Sequence, residues 1–146
     1  MKKLLIAALL ILLPSFAYAE TDHSLFFPLA SYHIDREMGE CETNPGLYYQ
    51  RFRTERIFWT AGAFRNSKCN TAVIAQIGWE SYEKKRFLGI PYGYGAMVGF
   101  STGYSSPVIG APYIRIGDRD QRLSARIMVL PHPKQGIFGI GIGYKL

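Results

Sequence analysis

The last segment of the chain, residues 135–146, alternates between two kinds of side chain. Large apolar residues occupy every second position: Phe138, Ile140, Ile142, Tyr144 and Leu146. Glycine or lysine occupies the positions between them: Gly139, Gly141, Gly143 and Lys145. A period of two is that of a β-strand, whose successive side chains point to opposite faces. The pattern predicts a strand with lipid on one face and a crowded interior on the other.

The opposite end of the chain has the composition of an export signal. Lys2 and Lys3 precede an apolar run over residues 4–16, and the small residues Ala17 and Ala19 flank Tyr18. Signal peptidases recognise small residues at those two positions. We therefore expect cleavage before Glu20, which divides the chain into a signal peptide, residues 1–19, and a single domain, residues 20–146.

An exported chain with such a final strand resembles the bacterial outer-membrane β-barrel proteins. In that class the last strand commonly has a glycine, an apolar residue and a terminal aromatic residue at fixed positions. Gly141, Tyr144 and Leu146 occupy these positions here, with leucine in place of the terminal aromatic. The resemblance implies location in the bacterial outer membrane, recognition of this strand by the barrel-assembly machinery, contact with outer-membrane lipid and lipopolysaccharide, and a monomeric state.

Turn signals at short intervals predict an antiparallel meander. The predicted strands cover residues 24–34, 47–53, 57–64, 71–80, 88–100, 108–116, 122–130 and the final segment, with a polar turn at 81–86. Pro28 restricts the first strand to an edge or a bulge. These segments predict an all-β, eight-stranded antiparallel up-and-down transmembrane β-barrel with both termini on one side.

Three charged residues lie on the polar face of predicted strands. In the predicted strand 71–80, polar or small residues alternate with apolar ones, and Glu80 is the last residue of the polar face. Arg115 and Arg126 occupy equivalent positions in later strands. A barrel this narrow fills its interior with side chains. We therefore expect the three charges to pair inside the barrel, which leaves no open channel.

The two cysteines, Cys41 and Cys69, predict a disulfide, because disulfides persist in exported proteins. With a periplasmic N-terminus, the two residues lie in neighbouring external loops at the same end of the barrel. Two unpaired thiols are the alternative.

One polar group at this external end could support chemistry. It contains His33 and Asp35 near the end of the first strand and Ser67 after the third. A histidine can take a proton from a serine hydroxyl, and an acidic neighbour can orient the imidazole, as in nucleophilic acyl transfer. The sequence does not establish that these side chains meet.

The group resembles the site of the lipid A-modifying barrels, the palmitoyltransferase and the 3-O-deacylase, which are small eight-stranded proteins with a histidine and a serine at the external rim. The resemblance implies catalytic roles for His33 and Ser67, with Asp35 as a third member. In the palmitoyltransferase an aspartate precedes the serine, whereas Asn66 precedes it here.

Several other functions are disfavoured. The formal net charge of +6 includes Lys2 and Lys3 of the predicted signal, and the remaining cations are scattered, so nucleic-acid binding is not expected. No set of three or four convergent ligands indicates a metal, and the glycines of residues 139–143 precede no helix that could hold a nucleotide cofactor. We expect neither metal nor cofactor.

The sequence thus predicts a small integral outer-membrane β-barrel protein with a structural or surface-interaction role. A lipid A acyl hydrolase or acyltransferase is the first alternative. A soluble periplasmic barrel that binds an apolar ligand is the second, and the inward charges count against it.

Overall fold

The computed structural model describes residues 22–34, 41–81, 85–131 and 136–146. The expected signal peptide and Asp35 lie outside these residues. The strands in chain order are β1 (His23–His33), β2 (Gly46–Phe52), β3 (Ile57–Arg65), β4 (Thr71–Glu80), β5 (Lys85–Phe87), β6 (Ile90–Ser101), β7 (Val108–Ile116), β8 (Leu123–Pro131) and β9 (Gly136–Lys145). No helix among the described residues is long and apolar enough to cross a membrane.

The sheet closes on itself because the first and last strands pair. The antiparallel β1–β9 ladder runs from Ser24 opposite Lys145 to His33 opposite Ile137. Both β4 and β5 pair with β6, so together they form one wall strand in two parts. The result is a closed, eight-stranded, antiparallel up-and-down barrel, which confirms the predicted fold class.

The fourth connection differs from the prediction. We expected the turn at residues 81–86, but β5 continues the fourth wall strand and the chain reverses at Leu88 and Gly89. Both residues have positive φ, 50° and 80° respectively. A two-residue hairpin turn of type I′ requires positive φ at both central positions. Gly89 supplies one of them without strain, so the turn lies at this glycine and not in the polar segment before it.

Pro28 has the effect that the sequence predicts. The β1–β9 register shifts between Pro28 and Ala30, which marks a bulge. A proline lacks the N–H that a regular ladder needs, and a bulge accommodates this loss inside a closed sheet.

The outward face of the wall is apolar around the barrel. Outward side chains with more than a third of their surface exposed include Val73, Ile77, Val98, Ile114, Ile127, Val129, Phe138, Ile140 and Ile142. In β9 these residues alternate with inward glycines, as predicted. An apolar surface of this extent is unusual for a soluble monomer and is typical of the lipid face of a membrane barrel.

The two ends of the barrel differ. The turn end carries the tight connections at residues 53–56, 88–89 and 117–122 together with the start of β1 and the end of β9. The loop end carries the connections at residues 41–45, 66–70 and 102–107. Inward aromatic side chains pack between them: Phe26 and Tyr48 in one cluster, Phe52, Phe58 and Tyr113 in another.

Candidate functional site

The barrel interior contains a cavity of about 680 Å³ in its loop-end half. Its walls are inward side chains of several strands, chiefly apolar: Tyr48, Phe64, Ile74, Met97, Ile109 and Met128. Small residues in the wall leave this space open, for example Ala111 on β7 and Gly139 on β9. A largely apolar cavity with a few polar groups has the composition and size of a small-molecule binding site.

An ionic network fills the interior below the cavity, towards the turn end. Glu80 accepts a hydrogen bond from Arg115 Nε at 3.0 Å and one from the Tyr113 hydroxyl at 2.8 Å. The Arg126 guanidinium lies 3.8 Å from Glu80 Oε2, the oxygen that accepts from Tyr113, and it donates to Gln50 Oε1 at 3.0 Å. Glu80 is 1% exposed. The described side chains therefore close this half of the barrel.

The three charges lie together, where the alternation of β4, β7 and β8 places them. Their neutral partners, Tyr113 and Gln50, were not identified from the sequence. Both occupy inward positions, so the alternation identifies them as interior residues. That they touch the charged group depends on the strand register, which the sequence alone does not provide.

A disulfide and side-chain hydrogen bonds hold the loop-end rim in place next to strands β1, β2, β3 and β4. A disulfide joins Cys41 to Cys69, and the Cα atoms lie 5.4 Å apart. Asn44 is buried and donates to the carbonyls of Cys41 and Arg65, while its Oδ1 accepts from the Ser31 hydroxyl at 2.6 Å. These bonds hold the segment after Cys41 against the end of β3 and the bulged part of β1.

The turn between β3 and β4 is organised by Asn66, which is fully buried. Its Oδ1 accepts from the backbone N–H groups of Lys68 and Asn70, at 3.0 and 2.9 Å. Its amide nitrogen donates to the carbonyl of Gly103 in the next loop at 3.2 Å. Asn66 therefore fixes the loop position of its neighbour Ser67.

His33 and Ser67 both line the cavity. His33 is the last residue of β1, points inward and is 2% exposed, and Ser67 is 9% exposed. A histidine and a serine that line one largely apolar cavity are a pair from which a proton-acceptor and nucleophile site can be built. Asp35, the expected third member, lies outside the described residues.

Three further residues at the cavity mouth were not predicted: Tyr104, Ser105 and Ser106. They belong to the loop between β6 and β7, whose conformation is not encoded in any strand pattern. Among the described residues, no group of three His, Cys, Asp or Glu side chains could hold a metal ion.

No family model and no curated protein matches the sequence. Among solved structures, the chain is similar to one described as "De novo design of transmembrane beta-barrels". The TM-score is 0.59, and the match covers 90% of this chain and 100% of that chain. The two sequences are 11% identical. At that identity the similarity shows the fold and carries no assignment of activity.

Proposed function

We propose that the protein is an integral β-barrel of the bacterial outer membrane with a structural or surface-interaction role and no open channel. The observation that carries this proposal is the apolar outward face of a closed barrel. A soluble barrel of this kind would expose that whole face to water, whereas in a bilayer it contacts lipid chains. The soluble ligand-binding alternative is therefore less favoured.

Closure of the turn-end half supports the absence of a channel. Glu80, Arg115 and Arg126 occupy the interior there together with Tyr113 and Gln50. A channel through this half would require these buried charges to separate from one another. A buried charge without its partner is costly, so the network opposes such an opening.

Targeting belongs to the same proposal. Export through residues 1–19 would deliver the chain to the periplasm, and the barrel-assembly machinery would recognise the last strand through Gly141, Tyr144 and Leu146. Gly141 points inward against Phe26, while Tyr144 and Leu146 are exposed. In this orientation the turn end is periplasmic and the loop end faces outward, towards lipopolysaccharide.

Gel migration and conductance test the proposal. The protein recovered from outer membranes should migrate differently before and after boiling, as a closed barrel does, and should give no stepwise ion currents in planar bilayers. Recovery in the soluble periplasmic fraction without a boiling shift would contradict the membrane location. Discrete single-channel currents would contradict the closed interior.

A second candidate function is acyl hydrolysis or acyl transfer on lipid A. It is favoured by one observation, that His33 and Ser67 line the same apolar cavity. In this reaction the Ser67 oxygen attacks an ester carbonyl while His33 accepts its proton. The proton then passes to the departing alkoxide, which leaves as an alcohol, and water or a second alcohol releases the acyl group from Ser67.

Mass spectrometry of lipid A tests this candidate. Cells that express the protein should contain lipid A with a changed number of acyl chains, and His33→Ala and Ser67→Ala should each abolish the change. Ser105→Ala is the matched control, since Ser105 lines the same cavity. Identical lipid A with and without the protein would contradict an enzymatic role, as would full activity of both variants.

A further inference from the structure

We propose that the turn end of the barrel interior binds a small monovalent anion of the size of chloride. The anion would balance a positive charge that the ionic network leaves uncompensated. This inference goes beyond the proposed structural role, and it does not depend on any reaction at His33 or Ser67.

A second, small cavity lies below the ionic network, at the turn end of the barrel. Its volume is about 40 Å³. Inward residues such as Gln50, Phe52 and Ser124 line it, together with the turn between β7 and β8. A water molecule occupies about 30 Å³ in the liquid. The cavity therefore has room for one small ion and is too small for phosphate or sulfate.

The charged groups at the outer edge of this cavity balance one another. Arg119 and Lys145 contact the Asp22 carboxylate at 3.2 and 2.9 Å. Lys145 also lies 3.8 Å from Asp120. Two cations thus face two carboxylates at the rim, which leaves no net charge there.

The charged groups at the inner edge carry one surplus positive charge. Arg115 and Arg126 contribute two guanidinium groups, and Glu80 is the carboxylate that both contact. Among the described residues that line the cavity, the one other carboxylate is Asp22, which pairs at the rim. All three inner side chains are less than a tenth exposed. A buried charge without a counter-charge is costly, so this surplus favours an anion.

Arg126 is the less well paired of the two arginines. Its guanidinium lies 3.8 Å from Glu80, too far for a hydrogen bond, and it donates to the neutral side chain of Gln50. The rings of Phe26 and Tyr113 lie against it, with centroids 4.8 and 4.4 Å from Cζ. Aromatic faces attract a cation but carry no net charge. The rings therefore leave the surplus in place.

Hydrogen-bond donors from two other elements line the same cavity. Arg119 Nε is buried and has no hydrogen-bond partner among the described residues. The Arg119 guanidinium lies 3.5 Å from the centroid of the Phe52 ring, which holds it against the wall. Ser124 on β8 adds a hydroxyl. An anion in this cavity would accept hydrogen bonds from these groups and also offset the charge of Arg126.

Water is the alternative occupant of the cavity. A water molecule would also accept from Arg119 Nε, but it brings no charge, so the surplus at Arg126 would remain. An ion has access from the aqueous side, because Asp22 and Lys145 at the rim are partly exposed. The charge balance therefore favours an anion over water.

Unfolding in two salts tests the site. The protein in detergent micelles is unfolded by urea in sodium chloride or in sodium gluconate at equal ionic strength. Gluconate is too large for the cavity, and a ligand that binds only the folded state stabilises it by mass action. We expect chloride to raise the unfolding midpoint relative to gluconate, and the rise to saturate with concentration. Equal midpoints in the two salts would overturn the proposal.

Gln50→Glu supplies the missing counter-charge from the protein itself. The new carboxylate would replace the amide oxygen that Arg126 already contacts at 3.0 Å. This variant should therefore lose the difference between the two salts. Gln76→Glu is the matched control and should keep it, because Gln76 is also buried but lines the loop-end cavity. A chloride effect in Gln50→Glu as large as in wild type would contradict the site.

Arg119→Gln tests the donors and leaves the inner charges unchanged, so it decides the matter even if Gln50→Glu does not fold. Loss of Nε should raise the chloride concentration at half-saturation by about tenfold, since it removes a hydrogen bond to a charged group. Arg122→Gln removes the same charge from the same turn, at an exposed position outside the cavity lining, and should change little. Equal half-saturation in both variants would count against the proposed site.

Bromide, which replaces chloride and scatters X-rays anomalously, locates the ion. Crystals grown in sodium bromide should show an anomalous peak between Arg119, Ser124 and Arg126. Peaks confined to the outer surface of the barrel would indicate an adventitious ion only, and the buried site would be wrong.

Discussion

At the residue scale, the buried ionic network is the most informative feature. The alternation of polar and apolar residues placed Glu80, Arg115 and Arg126 on the inward face, and in the structure they are in contact. The hydrogen bond from Tyr113 to Glu80 joins residues on β7 and β4, which are neighbours of β6 on opposite sides. Such a contact depends on barrel curvature and register, so it could not be derived from local sequence.

Neutralisation of the central carboxylate should destabilise the barrel strongly. Glu80→Gln keeps the size of the side chain but leaves two buried guanidinium groups without their counter-charge, which should cost about 3 kcal/mol of unfolding free energy. Denaturant unfolding from lipid vesicles measures the change. Glu55→Gln, at an exposed turn position, should change the value by less than about 0.5 kcal/mol. Equal effects of both substitutions would contradict the proposed weight of the network.

At the element scale, strand number and facing were predictable and two connections were not. Period-two alternation defines which residues of β4 and β9 face inward, and both patterns are observed. The reversal at Leu88 and Gly89 was missed because the polar residues before it offered a stronger turn signal. The folding of residues 41–45 against β1 was also missed, since it depends on side-chain bonds of Asn44 between distant strands.

The outward face of β9 should tolerate charge poorly. Ile140 lies near the middle of this strand and is 46% exposed. Ile140→Arg should lower the unfolding free energy in vesicles by about 2–4 kcal/mol, because the cation would sit among lipid chains. Thr71→Arg, at the exposed loop-end start of β4, should cost no more than about 1 kcal/mol. Unfolding curves that match wild type for Ile140→Arg would argue against lipid contact at this face.

The disulfide at the loop end should contribute through loop closure. Cys41 and Cys69 are separated by 28 positions. A ring of this size corresponds to a stabilisation of about 3–4 kcal/mol in the chain-entropy model. Cys41→Ser with Cys69→Ser should therefore shift the unfolding midpoint downward while the boiling-dependent gel shift persists. A midpoint equal to that of oxidised wild type would show that the bridge adds no stability.

At the scale of the whole molecule, the barrel is filled in one half and hollow in the other. The turn-end half holds the ionic network, whereas the loop-end half holds the cavity with His33 and Ser67. The sequence predicted a filled interior, and the hollow half was not foreseen. Cavity volume depends on the summed sizes of inward residues from all strands, including Ala111 and Gly139, and no single segment reveals it.

The two tryptophans of the chain allow a direct test of whether a bilayer surrounds the wall of this barrel. Trp59 and Trp79 lie on the outward faces of β3 and β4 near the turn end. Their rings contact Tyr49 and Tyr94, with centroids 5.4 and 5.8 Å apart, as in an interfacial aromatic belt.

Tryptophan fluorescence should therefore be recorded in vesicles whose lipids carry bromine at defined depths. We expect strong quenching by bromines close to the headgroups and weaker quenching by bromines at the bilayer centre. Fluorescence unaffected by bromine at every depth, from protein that remains folded, would contradict the proposed membrane location.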